Sequence, residues 1–225
     1  MRARMLLVPL AAAAALLAGC TTTPAVNATP TPTTNGLESL TADEILDKAT
    51  DALTDAKSFR VSGKGESDGQ ALEVDLTFAG DDAEGTITFD GLKVDVVQAG
   101  GAAYMKAGEE FWKTFLPAEA QALALPLVAG KYVKVPSTES IIPSIEDLLK
   151  PEGSVTKGEV TTVGGKPAIA VETTDGKLHV SLVGKPYPID IVSDEGTIEF
   201  SDIDKDVTIA APPASEVFDI SSLTG

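Results

Sequence analysis

Residues 71–98 read ALEVDLTFAGDDAEGTITFDGLKVDVVQ, and this stretch decides the fold. Leu72, Val74, Leu76 and Phe78 alternate with Glu73, Asp75 and Thr77. That period of two makes a strand with one apolar and one wet face. Ile87 and Phe89 then lead into Asp90-Gly91, followed by Leu92, Val94 and Val96. Asp-Gly between alternating apolar residues signals a tight hairpin, because the favoured two-residue turns need positive φ. A bulge that swaps the faces is the weaker alternative. The segment therefore predicts neighbouring antiparallel strands with a shared apolar face.

Upstream, SLTADEILDKATDALTDAKSF (39–59) carries a helix signature. Thr41 is placed as N-cap with Glu44 three residues on, the pattern of a capping box. Ile45, Leu46, Ala49, Leu53 and Ala56 then share one face at helical spacing. Downstream, AAYMKAGEEFWKTF (102–115) reads as two short strands around Gly108. KPAIAVETTDGKLHVSLVGKPYPIDIVSDEGTIEFSDI (166–203) supplies three or four more, with turns at Asp175-Gly176 and Glu195-Gly196. In it Leu178, Val180 and Leu182 face one way, and Lys177, His179 and Ser181 the other. Gly164-Gly165 is a turn between strands and no phosphate loop, since no helix follows it. Between the strand sets, Pro117 opens a short helix that Pro126 limits, and a second short helix at 141–149 closes at Pro151. Strand runs with segregated helices indicate an α+β fold on an antiparallel sheet. The two short helices, 117–125 and 141–149, interrupt the sheet and are candidates for a movable lid.

The N-terminus has a different character. Arg2 and Arg4 precede MLLVPLAAAAALLAG (5–19), which has no charge and is too short to cross a bilayer comfortably. Residues 1–19 are therefore expected to be a secretory signal peptide. Leu17-Ala18-Gly19-Cys20 looks like a bacterial lipobox, which makes Cys20, the only cysteine, a lipid attachment point. Acyl chains on Cys20 would anchor the protein to the extracytoplasmic face of a membrane. Residues 20–36 then form a Thr/Pro-rich tether whose composition cannot offset its ordering entropy. A single domain, 37–225, follows.

Composition excludes several functions. Loss of Arg2 and Arg4 leaves 15 basic against 34 acidic side chains, a formal charge of −19, with Arg60 the only arginine. Nucleic-acid binding needs clustered basic residues, and these are missing. One histidine and one acylated cysteine leave no zinc set. Asp81-Asp82 and SDIDKD (201–206) lack the spacing of an EF-hand loop and read as turn acids. His179, on the polar face of its strand, has no Gly-x-Ser-x-Gly partner motif. No catalytic residue, metal or cofactor is expected, and the chain reads as a non-enzyme.

The whole layout resembles the actinobacterial LppX/LprG lipoproteins, whose fold is like that of the carriers LolA and LolB. The stretches that carry the resemblance are AAYMKAGEEFWKTF, GKYVKVP (130–136), VGKPYPIDIV (183–192) and GTIEFSDIDKDVTIAAPPASEVFD (196–219). It covers residues 40–220. It implies a curved antiparallel half-barrel with helices packed over its concave face and an apolar cavity between them. It also implies a cargo, an acylated lipid or glycolipid moved toward the cell surface.

The lining expected for such a cavity is Leu72, Val74, Leu76, Phe78, Ile87, Phe89, Leu92, Val94 and Val96 from the strands. Tyr104, Met105, Trp112 and Phe115 join them, with Leu123, Leu127, Ile141, Ile142, Ile145 and Leu148 from the helices. For each of these the competing reading is packed core. The alternative function is an interaction or sensor lipoprotein of the same fold, with a filled core and no cargo. The sequence names no transporter partner.

Overall fold

A computed structural model of the chain describes residues 33–67, 69–135, 142–151, 153–174 and 176–219. The lipobox, Cys20, Ile141 and Asp175 lie outside the described residues.

Helix α1, Ala42–Thr54, forms as its signature predicts. The Thr41 backbone N–H donates to the Glu44 carboxylate at 2.8 Å, and the Thr41 hydroxyl accepts from the Glu44 N–H at 3.4 Å. Ile45, Ala49 and Leu53 are completely buried beneath the helix. Just upstream, the Asn35 side chain donates to the carbonyls of Ser181 and Gly184, so the chain is fixed to the domain from that point on.

Strand β1 is Phe59–Ser67, β2 Gln70–Ala79, β3 Asp82–Phe89, β4 Leu92–Ala99 and β5 Ala102–Ala107. Asp90 and Gly91 turn the β3–β4 hairpin with φ of 46° and 81°, the double positive φ that an Asp-Gly hairpin turn requires. Helices α2, Glu109–Phe115, and α3, Ala118–Val128, follow, then β6, Tyr132–Val135, and α4, Ile145–Leu149. The second strand set is β7 Thr156–Val163, β8 Lys166–Glu172, β9 Gly176–Ser181, β10 Pro188–Ser193 and β11 Gly196–Ser201, and β12 is Val217–Asp219.

Among the described residues these strands form one sheet in the order β12-β6-β5-β4-β3-β2-β1-β11-β10-β9-β8-β7. β1 is the hinge of the topology: it pairs with β2 on one side and β11 on the other, joining the two meanders. All pairings are antiparallel except β12 with β6. The sheet is curved and unclosed, with β12 and β7 as its edges. Close approach helps to bend it. A Cβ on Gly63 would overlap the carbonyl oxygen of Thr197, and one on Gly85 that of Asp75.

Two sequence expectations change. Residues 109–115 are a helix and not a strand. Gly108 serves as its N-cap, Glu109 and Glu110 occupy the first turn, and Lys113 bridges both at 2.8 and 3.1 Å. Phe111 and Phe115, four residues apart, pack at 4.5 Å. Pro126 does not end α3. It lies inside the helix, and the next turn closes when Ala129 N–H donates to the Leu125 carbonyl. Proline removes its own N–H bond and its ring crowds the carbonyl four residues back, but only Leu127 and Val128 follow it in the helix.

Candidate functional site

The strand residues expected to line a cavity fall into two groups. Leu76, Phe78, Ile87, Val94 and Val96 are buried in one hydrophobic core with Ile45, Leu53 and Ile142. Phe78 also stacks on Phe59, with ring centroids 4.7 Å apart. These residues are packed core. Leu72, Val74, Phe89, Leu92, Met105, Trp112 and Ile145 pack against that core while keeping part of their surface open. The Trp112 indole Nε1 is buried without a hydrogen-bond partner among the described residues.

Tyr104 does not join them. It stands across from Val97 and Lys134, whereas Met105 pairs with Val96 and Val133. Adjacent strand residues point to opposite faces, so Tyr104 belongs to the outer face. Phe115, Leu123 and Leu127 also leave the set, because α3 packs chiefly on α2 and these side chains face solvent.

An open space with an apolar floor lies elsewhere, between α1, α4 and the second meander, while Val74 borders a second, polar cleft of about 620 Å³ beside Arg60 and Asp75. A cleft of about 660 Å³ is lined by Leu46 of α1, Leu148 and Leu149 of α4, and Val155, Val171, Leu178 and Ile191. Strand register builds its floor. Val171 stands opposite Leu178, Leu178 opposite Ile191, and Ile191 opposite Ile198. Val171, Leu178 and Ile191 form the apolar floor over three strands, and Ile198 extends the row beyond the cleft. Its roof is α4, which Ser144 caps: the Ser144 hydroxyl accepts from the Asp147 N–H at 3.1 Å. Of the residues expected from sequence, only Leu148 lines this cleft.

The mouth is polar. Lys150, Lys177, Asp194 and Glu195 ring it with Thr173, Thr174 and Ser193. Lys177 is bonded to Glu172 at 2.7 Å, and that hydrogen bond raises the Lys177 pKa above its ordinary value. The β8–β9 loop is fastened by Thr173, whose hydroxyl accepts from the Gly176 N–H at 3.0 Å. The site is thus apolar below and mixed in charge at the rim.

Other polar clusters lie outside the cleft. His179 holds the Asp190 carboxylate through Nδ1, and both side chains are about 15% exposed, on the sheet face opposite Leu178. No hydrogen bond among the described residues brings a hydroxyl to its other ring nitrogen. The acids of SDIDKD form a structural clasp. Asp204 accepts from the Lys57 N–H and the Tyr187 hydroxyl at 2.9 Å each, and the Ser58 hydroxyl donates to the Lys205 carbonyl at 2.6 Å. The Lys57 and Tyr187 bonds hold the Asp204 carboxyl below its usual pKa.

No family model and no curated protein matches the chain. Solved structures do. LprF from Mycobacterium bovis is similar at a TM-score of 0.50 and 14% identity, over 77% of this chain and 97% of LprF. Lipoprotein LppX from Mycobacterium tuberculosis matches at 0.44 and 13%, over 75% of this chain and 98% of LppX. An uncharacterized conserved protein from Thermus thermophilus matches at 0.42 and 11%, over 79% and 98% respectively. The likeness to LprF is one of fold, and it is the half-barrel fold that the resemblance to LppX/LprG lipoproteins implies.

Proposed function

We propose that this protein is a membrane-anchored, extracytoplasmic lipoprotein. It binds an acyl chain of a lipid or glycolipid in the cleft and carries or presents that lipid toward the cell surface. The supporting observation is the apolar floor of Val171, Leu178 and Ile191 beside Leu148 and Leu149 of α4, opening at a charged mouth. At 660 Å³ the cleft lies within the roughly 300–1,000 Å³ of small-molecule sites. Each methylene kept out of water is worth about 0.8 kcal/mol, so an apolar cleft holds a chain against release into water. The head group stays at the mouth, where Lys150 and Lys177 offer donors and Asp194 and Glu195 select against bare anions. Cys20 supplies the anchor and residues 20–34 the tether, which ends where Asn35 bonds to the domain. The role is binding, with no bond made or broken.

A second reading, the cargo-free interaction or sensor module, draws support from the packed core around Leu76, Ile87 and Val96. One experiment separates the two. The full-length protein is extracted from membranes, and native mass spectrometry is followed by lipid analysis of the same sample. A stoichiometric acylated adduct, lost in Ile191→Asp, supports the carrier. A clean mass with no uptake of added lipid rejects it in favour of the second reading.

A further inference from the structure

The α2–α3 pair carries apolar surface that the cleft does not use. Phe115 is 61% exposed and Leu123 78%. Leu127, four residues after Leu123 and on the same helix face, is also exposed. From Ala120 to Gly130 the chain holds no charged residue, in a protein otherwise rich in acids. This surface is firmly supported. Phe115 rests on Phe111, and the Gln121 side chain ties the helices together by donating to the carbonyls of Lys113 and Leu116, each at 3.0 Å. Exposed apolar patches of this kind mark a surface that meets a membrane or a partner.

We propose that the α2–α3 pair docks on the bilayer that holds Cys20, with Phe115, Leu123 and Leu127 entering the interface. The proposal rests on the reading of Cys20 as acylated. The length of chain between anchor and domain argues for this occupant. Fifteen residues, 20–34, precede Asn35, whose N–H donates to the Leu182 carbonyl at 2.8 Å. Fully extended they span at most about 50 Å. A domain of this size has a radius of gyration of about 16 Å. Such a tether lets any face reach the bilayer and keeps the bilayer at high effective concentration throughout.

Helix length and charge decide the mode of contact. The 11 residues of α3 rise about 16 Å, too little to cross a hydrocarbon core of about 30 Å, so the helix must lie in the interface plane. With a formal charge of −19 the anchored protein gains nothing from an anionic leaflet. Only apolar burial can bring one face down, and it must do so in a helix pair that stays net acidic, with Lys113 bridging Glu109 and Glu110 and with Glu119 in the first turn of α3.

The test uses the full-length acylated protein in phosphatidylcholine vesicles. Acylation blocks Cys20, the only native thiol, so Leu123→Cys creates a single site for an environment-sensitive fluorophore. Val160→Cys, 58% exposed on β7, is the control. Nitroxide-labelled lipid is expected to quench the probe at 123 at least about threefold more strongly than at 160, with a blue shift at 123 alone. Adding Phe115→Ser and Leu127→Ser should remove the difference while circular dichroism stays unchanged. Equal quenching at both sites, on protein whose intact mass shows the acyl chains, overturns docking and leaves the anchor reading standing. A response at 123 that requires added membrane proteins overturns it in favour of a protein partner. An unacylated mass overturns the anchor reading and this proposal with it.

Discussion

Leu178 of β9 stands directly opposite Ile191 of β10, and one residue along each strand His179 meets Asp190 on the other side of the same sheet. The pair of strands is thus apolar toward α4 and polar outward, and the cleft floor depends on that alternation. Filling the floor is a sharper test than charging it. Ile191→Trp adds apolar volume at a half-buried position facing open space, so the fold should persist at a cost of no more than about 1–3 kcal/mol. Lipid bound per protein, measured by extraction and mass spectrometry, should fall at least about fivefold under the carrier reading. Unchanged lipid in the folded variant would show that the acyl chain sits elsewhere.

The outer face yields a second prediction. His179→Ala leaves the Asp190 carboxylate, 14% exposed, without its partner. Loss of one partner from a buried polar pair costs about 1–3 kcal/mol. Urea unfolding should show that loss, while lipid content stays unchanged because the pair points away from the cleft.

A third concerns pH. Arg60 donates to both Asp75 oxygens, from Nε and Nη2, at 2.6 Å each. Those bonds hold the Asp75 pKa below the ordinary carboxylate value. A depressed folded pKa means that the bridge stabilises above the unfolded value of about 3.9 and is lost as pH falls through the folded one. Both side chains are 40% or more exposed, so the contribution is that of a surface pair, about 0.5–1 kcal/mol. Asp75→Asn should therefore be less stable than wild type at pH 7, and the difference should vanish near pH 2. A difference that persists at pH 2 would assign the effect to packing.

Much of this architecture was legible in local pattern. The Thr41/Glu44 box, the Asp90-Gly91 turn and the alternation of Leu178, Val180 and Leu182 each report a short-range requirement, and all appear as expected. β1 was not legible. Phe59 and Val61 are followed by Gly63 and Gly65, which weaken a strand on propensity alone, yet β1 is paired on both sides. Its reason is tertiary, since the glycines permit close approach of β11. Helix α2 could have been found from Glu109 and Glu110 against Lys113 at helical spacing. The cleft could not. Leu76 and Ile191 sit in equally apolar strands, and only the placement of α1 and α4 covers one and leaves space above the other.

The glycines give the last prediction, a comparison of two alanines. Gly91 has open space where a Cβ would go, so Gly91→Ala meets only the strain of its φ of 81°. That conformation costs a non-glycine residue about 1–2 kcal/mol. Gly85→Ala meets the strain of a φ of 154° and, in addition, drives its Cβ into the Asp75 carbonyl oxygen and the Leu76 Cα, both backbone atoms of the adjacent strand that no side-chain rotation can move. The sheet must open at β2–β3, where curvature and core packing coincide, because Leu76 is buried at that register. Gly85→Ala should therefore cost about 3 kcal/mol or more and show the larger fall in midpoint by thermal or urea unfolding. Equal losses at the two positions would mean that the strain of positive φ, common to both, and not close strand approach, is what requires glycine in this sheet.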